Sequence, residues 1–597
     1  MLIVFGSKLW TISTYGSDLP FWDQWDAEGA KLFLPSAQGT LQIGDFFAPH
    51  NEHRILFTRL LAFGLWKANG QWDARLEMTV NVFVHIAAIA LLLGVLKRLI
   101  KPSTWMLACL MAVVLCSLPL SWENTLGGFQ SQFYFLLLFS VAHLACTFGT
   151  KENGLVWWFG QITGLCAVVS MGSGFFSAAV VVLLYTTQII QERTRPSFHR
   201  VTIIALNVVF IILGFLLRTD VPEHHVLRAS SLHDLLGSIA LLLAWPAPWR
   251  LASIFAISAI LLACKDCWKA ERRPDVQVFI WAMTAWSTLQ ILALAVARGG
   301  APTVLSPRYF DLLDITVLLT CVLLNEFALS AASPKKHLIF WSICSAWWLC
   351  VAVGVDWQYR VVFNDPLRSL KSLNSRRADI VRGYVQNEKD AFFKAVPVEE
   401  LPYPKSEPLA AWLDEPAIRL SLPADVRASM PIPASPDVSL EGFRSINSSS
   451  LSGAPAHYRY WTRSPNVASA DATFQSDWIP KPDFPYLRFW VRGNSGQDQL
   501  WLQTASDTIP LNIPNAAPKD WRAITVPAPD HHYRLFANTK PGSVLSFSEP
   551  VEVALGSKLN EDFLKLWPFF LYGGIILFPA SLLDCFLHRT RPTSGEI

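Results

Sequence analysis

Charge is the scarcest feature of this chain. Asp, Glu, Lys and Arg make up 16% of its 597 residues, against about a quarter in ordinary soluble domains, while 52% are hydrophobic and mean hydropathy is +0.32. That shortage excludes a soluble globular protein and implies a polytopic α-helical membrane protein. The sequence also has no long basic block, only a net charge of +3, and no glycine-rich phosphate loop, so nucleic acid and nucleotides are not expected as partners. Cysteine is present without a pattern. The ten residues, at 109, 116, 146, 166, 264, 267, 321, 344, 350 and 585, lie in or beside apolar segments, and none lies in the polar region 357–562. No disulfide framework follows, and the lone CxxC of Cys264 and Cys267 reads as structural for want of a second pair. The opening segment, Met1 to Gly16, lacks the small-residue cleavage site of a secretory signal and reads as a short first span.

Apolar runs are abundant. Besides the first, spans are expected near 78–96, 104–120, 131–148, 155–171, 174–190, 201–217, 249–264, 277–297, 309–330, 337–355 and 563–587, about twelve in all at roughly 20 residues each. Ile55 to Trp66, interrupted by Arg59, reads as a helix along the membrane surface, and Ser231 to Trp249, broken at Pro246 and Pro248, as a half-helix. The basic clusters fall on alternate connections: Lys97 with Arg98, Lys151, Arg193 with Arg195 and Arg200, Lys269 with Arg272 and Arg273, Lys335 with Lys336, and Arg589 with Arg591. The positive-inside rule makes that side the cytoplasm and turns the loops 20–54, 122–132, 170–174, 218–233 and 297–311 outward.

From Asp356 to about Asp562 the composition becomes that of a soluble domain, first helical and proline-punctuated, then alternating: Leu487, Phe489 and Val491 against Arg488, Trp490 and Arg492. Such runs predict a jelly-roll-like β-sandwich. The expected division is therefore a membrane catalytic domain at 1–356, a periplasmic domain at 357–562, and a last span with cytoplasmic tail at 563–597. Trp478, Trp490, Trp501 and Trp521 read as sandwich core or rim, with a sugar-stacking face as the alternative.

The loop PFWDQWDAEGAKLFLPSAQGTLQIGDFFAPHNEHR, Pro20 to Arg54, collects Asp23, Asp26, Glu28, Asp45, His50, Glu52, His53 and Arg54 among Trp22, Trp25, Phe46 and Phe47. Charges interleaved with aromatics mark a functional loop rather than a solvated linker. An outward site has no access to cytosolic ATP or nucleotide sugars, so group transfer there draws on a donor already in the bilayer, and a lipid-linked phosphosugar fits. Such a transfer needs a carboxylate base, cations for the leaving phosphate and an apolar groove for the prenyl chain. Asp23 and Asp26 supply the base and share a face if the loop begins helically. Arg298 and Arg308, with Tyr309 beside, suit the phosphate because guanidinium forks match its geometry; headgroup anchoring is the alternative, against which their outward placement counts. Glu28, His50, Asn51, Glu52, His53, Arg54, Glu123 and Gln130 are expected to hydrogen-bond substrate, with Asn124 and Gln132 joining them or capping helices. The spacing in PHNEHR matches neither HExxH nor a zinc finger, so no metal or other cofactor is predicted, and a divalent ion is left as the alternative.

An acidic motif in the first outer loop, surface helices after it, about a dozen spans and a C-terminal outward domain together resemble the GT-C superfamily of glycosyltransferases, which use polyprenyl-phosphate or pyrophosphate sugars. The resemblance covers the membrane part. It implies that a first-loop aspartate, here Asp23 or Asp26, is catalytic, and the sandwich is similar to carbohydrate-binding-like domains that some members append. The first loop lacks the Asp-Glu pair of the mannosyltransferase branch, and the chain lacks the WWD signature of oligosaccharyltransferase. The expectation is an inverting transferase of the bacterial inner membrane, moving a sugar from a polyprenyl-phosphate donor to a cell-envelope glycan or lipid on the periplasmic face. A transporter or flippase, or a non-catalytic glycan-binding assembly protein, is the alternative; transporters show internal repeats and charges within spans, and neither is evident here.

Overall fold

The structure is a computed structural model that describes residues 1–149, 154–193, 196–269, 275–300, 305–331, 333–364, 366–387, 393, 396–433, 442–463, 471–493, 496–513 and 520–588. Among them nine helical stretches are long and apolar enough to cross a membrane: Ala74–Leu99, Pro102–Thr125, Gly128–Gly149, Phe198–Leu216, Arg250–Trp268, Gln277–Arg298, Pro307–Leu329, Pro334–Gln386 and Leu555–Ala580. Leu155–Val168, Phe176–Glu192 and Leu232–Ala244 are apolar but shorter, at 14, 17 and 13 residues. The roughly twelve spans of the sequence reading thus become, among the described residues, nine long helices and several short ones. Leu2–Tyr15, also short, lies along Trp567–His588: Gly6 abuts the Leu571 backbone and Gly574 abuts Ile3, and a Cβ at either position would sit within 2.7 Å of the other helix. First and last helices are therefore direct neighbours. Leu232–Ala244 starts on a Ser231 cap, whose Oγ accepts from the Asp234 N–H at 3.1 Å, and stops ahead of Pro246 and Pro248, which have no N–H to extend it.

The loops expected to face outward meet at one end of the bundle. The hairpin beginning at Pro49 contacts Gly172, Leu217, His224 and Arg298, while Glu123 meets Arg308. At the opposite end Lys101 Nζ donates to Ser330 Oγ and Gln191 to the Trp268 carbonyl. Of the basic residues used to orient the chain, Lys151, Arg195, Arg272, Arg273, Arg589 and Arg591 lie outside the described residues. One expectation is corrected: ionisable side chains do sit inside helices of the bundle, with Lys8, His85, Asp311 and Asp314 all buried.

The C-terminal region contains two antiparallel sheets. One runs Arg522–Pro527, Tyr486–Arg492, Ser546–Ser548 with Val551–Val553, Arg459–Arg463, Phe443–Asn447; the other runs Ala472–Gln475, Arg534–Thr539, Asp498–Gln503, Thr508–Pro510. Leu487, Phe489 and Val491 from the first and Leu500, Leu502 and Leu535 from the second fill one shared core, which is what the alternating sequence requires. The four tryptophans do not share a face. Trp501 stacks on Phe536 and Trp478 lies under Arg534 beside one sheet, whereas Trp490 and Trp521 pack with Tyr460 on the other.

The expected boundaries at 356/357 and 562/563 fall inside the helices Pro334–Asn364 and Leu555–Leu564. The onset of charge does not end the first of these, because Asp356 and Arg360 pair across one turn at 2.9 Å. The C-terminal region docks on the same end as these loops. Trp72 N–H donates to the Ser421 carbonyl at 2.6 Å, Gln71 Nε2 to the Glu552 carbonyl at 2.9 Å and Asn69 Nδ2 to Ser557 Oγ at 3.0 Å. Asp18 accepts from the Asp425 N–H at 3.3 Å, and Arg488 Nη1 reaches Asp425 Oδ1 at 3.0 Å.

Candidate active site

Two local structures shape the first loop. Trp25–Phe33 is a π-helix, whose i→i+5 bonding widens the turn and sets Lys31 Nζ 2.9 Å from Asp26 Oδ2. Pro49–His50 and His53–Arg54 form a tight hairpin turned by Asn51 at φ +48°, a left-handed conformation that asparagine tolerates. The hairpin sets His50 against both aspartates: Nε2 is 3.4 Å from Asp23 Oδ2 and Nδ1 is 4.0 Å from Asp26 Oδ2, with the ring edge-on to Phe129. Just before Asp23, Trp22 holds φ +50°, costly for a bulky residue. Its N–H donates to the Pro402 carbonyl and its carbonyl accepts from Trp25, so the turn carrying Asp23 is fixed from both sides.

Electrostatics separate the two aspartates. Burial pushes the Asp23 carboxyl up, but the His50 hydrogen bond and the charges of His50, Arg308 and His224 outweigh it. Asp23 therefore lies below its ordinary value and is ionised at neutral pH. Asp26 has its own counter-ion in Lys31.

Beyond His50 the hairpin carries Glu52, which accepts from His224 Nδ1 at 2.6 Å and lies 3.9 Å from Arg298 Nη2 and 4.0 Å from His53 Nε2. Burial raises the Glu52 carboxyl, yet the hydrogen bonds from His224 and its own backbone and the nearby histidines bring it below its ordinary value. Burial drives His53 down to about 4, against the pull of Glu52, so its imidazole is neutral at pH 7. Accordingly His53 Nδ1 accepts from the Gly172 N–H at 3.2 Å, an approach that only glycine allows: a Cβ there would lie 2.6 Å from that nitrogen. Arg298 Nε donates to Tyr309 Oη at 3.1 Å, and the Arg308 guanidinium lies 5.5 Å from the centre of the Tyr309 ring, so Tyr309 links the two arginines. Arg308 Nε is 4.0 Å from Glu123 Oε2, which also accepts from Ser306 Oγ at 2.7 Å.

Four residues expected to meet substrate have other occupations. Glu28 is fully buried; its Oε2 accepts from Gln24 Nε2 at 3.2 Å and Trp72 Nε1 at 3.1 Å, because Gly29 leaves room for the Trp72 ring. Arg54 staples the hairpin, donating to the Leu217 and Phe47 carbonyls at 3.0 and 2.9 Å. Asn51 turns the hairpin, with Nδ2 3.2 Å from His50 Nε2. Gln130 lies on the turn Gly128–Gln130 and accepts from Gln132 at 3.4 Å. The sequence reading did not single out His224 or Lys31. A paired histidine in an outward loop was the available sign of the first, while the second needed the π-helix. Among the described residues no group of three or more His, Cys, Asp or Glu is arranged to hold a metal ion.

No protein-family model matches the chain, and no curated protein matches it. Among solved structures it is similar to the arabinosyltransferase EmbB from Mycobacterium smegmatis, at 11% identity and a TM-score of 0.34, over 92% of this chain. The chain spans 64% of the length of that protein. A likeness at this TM-score carries no argument, and the functional reading rests on the site itself.

Proposed function

We propose that this chain is a multi-pass membrane glycosyltransferase of GT-C type that moves a sugar from a polyprenyl-phosphate donor to a cell-envelope glycan or lipid at the periplasmic face of a bacterial inner membrane, with the 357–562 region in the periplasm. The observation that carries it is one ionised carboxylate, Asp23, in the electrostatic field of a guanidinium, Arg308, whose ring partner Tyr309 also binds Arg298. Asp23 takes the proton of an acceptor hydroxyl, and that oxygen attacks the anomeric carbon on the face opposite the phosphate. The bond from the anomeric carbon to the phosphate oxygen breaks with its electron pair on the lipid phosphate, where Arg308 and Arg298 meet the charge. The sugar inverts, and no metal or redox partner enters the balance.

Buried ionisable residues within the helices favour the transporter reading, because such residues line translocation pathways. One assay separates the two readings. Purified protein mixed with a synthetic polyprenyl-phosphate sugar and candidate envelope acceptors is expected to yield glycosylated product and free polyprenyl phosphate, and Asp23→Asn is expected to yield neither. Donor crossing a vesicle bilayer without product would overturn the enzyme.

A further inference from the structure

Behind Arg308 lies a buried polar cluster that the proposed chemistry does not touch. Asp311 sits in the first turn of Phe310–Leu329, 2% exposed. Its Oδ1 accepts from Ser121 Oγ at 2.8 Å and its Oδ2 from Asn124 Nδ2 at 2.7 Å. The same Asn124 amide donates to the backbone carbonyl of Arg308 at 2.8 Å. His85 Nε2 lies 3.7 Å from Asp311 Oδ1, and the His85 ring stacks on Tyr134 with centroids 4.4 Å apart. Lys8 Nζ donates to Thr125 Oγ1 at 3.0 Å and lies 5.7 Å from the centre of the same Tyr134 ring.

Apolar side chains would join these helices without stripping water from a carboxylate, an ammonium and an imidazole. The arrangement gains direction instead. Asp311 grips the segment that carries Glu123 and, through Asn124, the turn that carries Arg308, and these two outer residues face each other. We propose that Asp311 is a positioning residue that acts through Asn124 to aim the Arg308 guanidinium at the donor phosphate. This inference rests on the donor reading above.

The test uses the full chain in detergent, with a short-chain polyprenyl monophosphate as probe, the matching polyprenol as control, and tryptophan fluorescence as readout. Arg308→Ala is expected to weaken phosphate-lipid binding about tenfold while leaving polyprenol binding unchanged. Asp311→Asn keeps the shape but offers only one acceptor oxygen, and it is expected to give a comparable loss for the phosphate lipid alone. A residue acting through Arg308 has nothing left to lose once Arg308 is gone, so the double variant is expected to bind no more weakly than Arg308→Ala. Wild-type binding by a folded Asp311→Asn protein, or losses that multiply in the double variant, overturns the positioning role. If Asp311→Asn does not fold, Asn124→Ser carries the same test: it removes the bridging amide, leaves Asp311 bonded to Ser121, and has the same expected loss and non-additivity. Wild-type protein that binds polyprenyl phosphate no better than polyprenol overturns the donor reading itself, and this inference with it.

Discussion

Glu52 and His224 stand 172 residues apart in sequence and share a 2.6 Å hydrogen bond. That contact ties the first outward loop to the loop after Phe198–Leu216, and Arg298 approaches the same Glu52 oxygen. Glu52→Gln removes the charge that faces His224 and Arg298. It is expected to raise donor KM more than it lowers kcat, as steady-state kinetics will show. Because the folded Glu52 carboxyl lies below its ordinary value near 4.5, its contribution to stability is intact above that value and is lost as pH falls through the lower folded value. Thermal midpoints measured from pH 6 downward should therefore fall more steeply for the wild type than for Glu52→Gln.

Asp23→Asn is expected to lower turnover by about 10²- to 10⁴-fold with the fold intact, the usual contribution of a general base. His50→Ala removes the hydrogen bond that helps hold the Asp23 carboxyl down. The acidic limb of the kcat/KM profile should then move to higher pH. An unmoved limb would assign that limb to another group.

Arg308 stands in the turn Pro307–Tyr309, tied down by Asn124, whereas Arg298 ends a helix just before Gly299 and Gly300. Arg308→Ala is expected to lower kcat strongly, and Arg298→Ala to weaken donor affinity more than turnover. Arg308→Lys should rescue only in part, because lysine lacks the fork. Initial rates across a donor titration decide it.

Burial pushes the Glu28 carboxyl up to about 8, against the hydrogen bonds from Gln24 and Trp72 that lower it. The folded chain thus keeps a proton that the unfolded chain releases near 4.5, so stability falls as pH rises between the two values, by up to about 1.4 kcal/mol per pH unit. Glu28→Gln carries no such proton. Its unfolding midpoint should be flatter than that of the wild type from pH 5 to 8.

What the sequence made legible was local. Charges among aromatics marked the loop around Asp23, and period-two alternation at 487–492 marked a sheet with one buried face. What stayed hidden depended on distant partners. Glu28 looks like a substrate ligand until Trp72 closes over Gly29, and so does Arg54 until the Leu217 carbonyl arrives to accept its hydrogen bond. Lys8 carries no signal in the sequence, because nothing near it shows Thr125 and Tyr134 waiting on other helices. Helix ends are legible only in part for a related reason: the apolar run 155–171 begins with the helix Leu155–Val168, but hydropathy does not show that the helix stops at Val168.

The docking of the soluble region has a consequence for how this chain can be cut. Asp18 and Arg75 of the membrane part and Asp425 and Arg488 of the soluble part form one charge cluster, in which Arg75 and Arg488 favour the Asp18 carboxylate while Asp425 opposes it. A fragment ending near 356 would strand Asp18 and Arg75 without half of their counter-charges, and would leave the Trp72 N–H and the Gln71 amide without acceptors. The sandwich released alone would carry Arg488 and Asp425 with the mirror-image deficit. Neither piece is an independent module, so a graft that exchanges the sandwich for that of another protein must bring its own residues for positions 18, 71, 72 and 75, and a protease nick in the intervening chain need not separate the two parts.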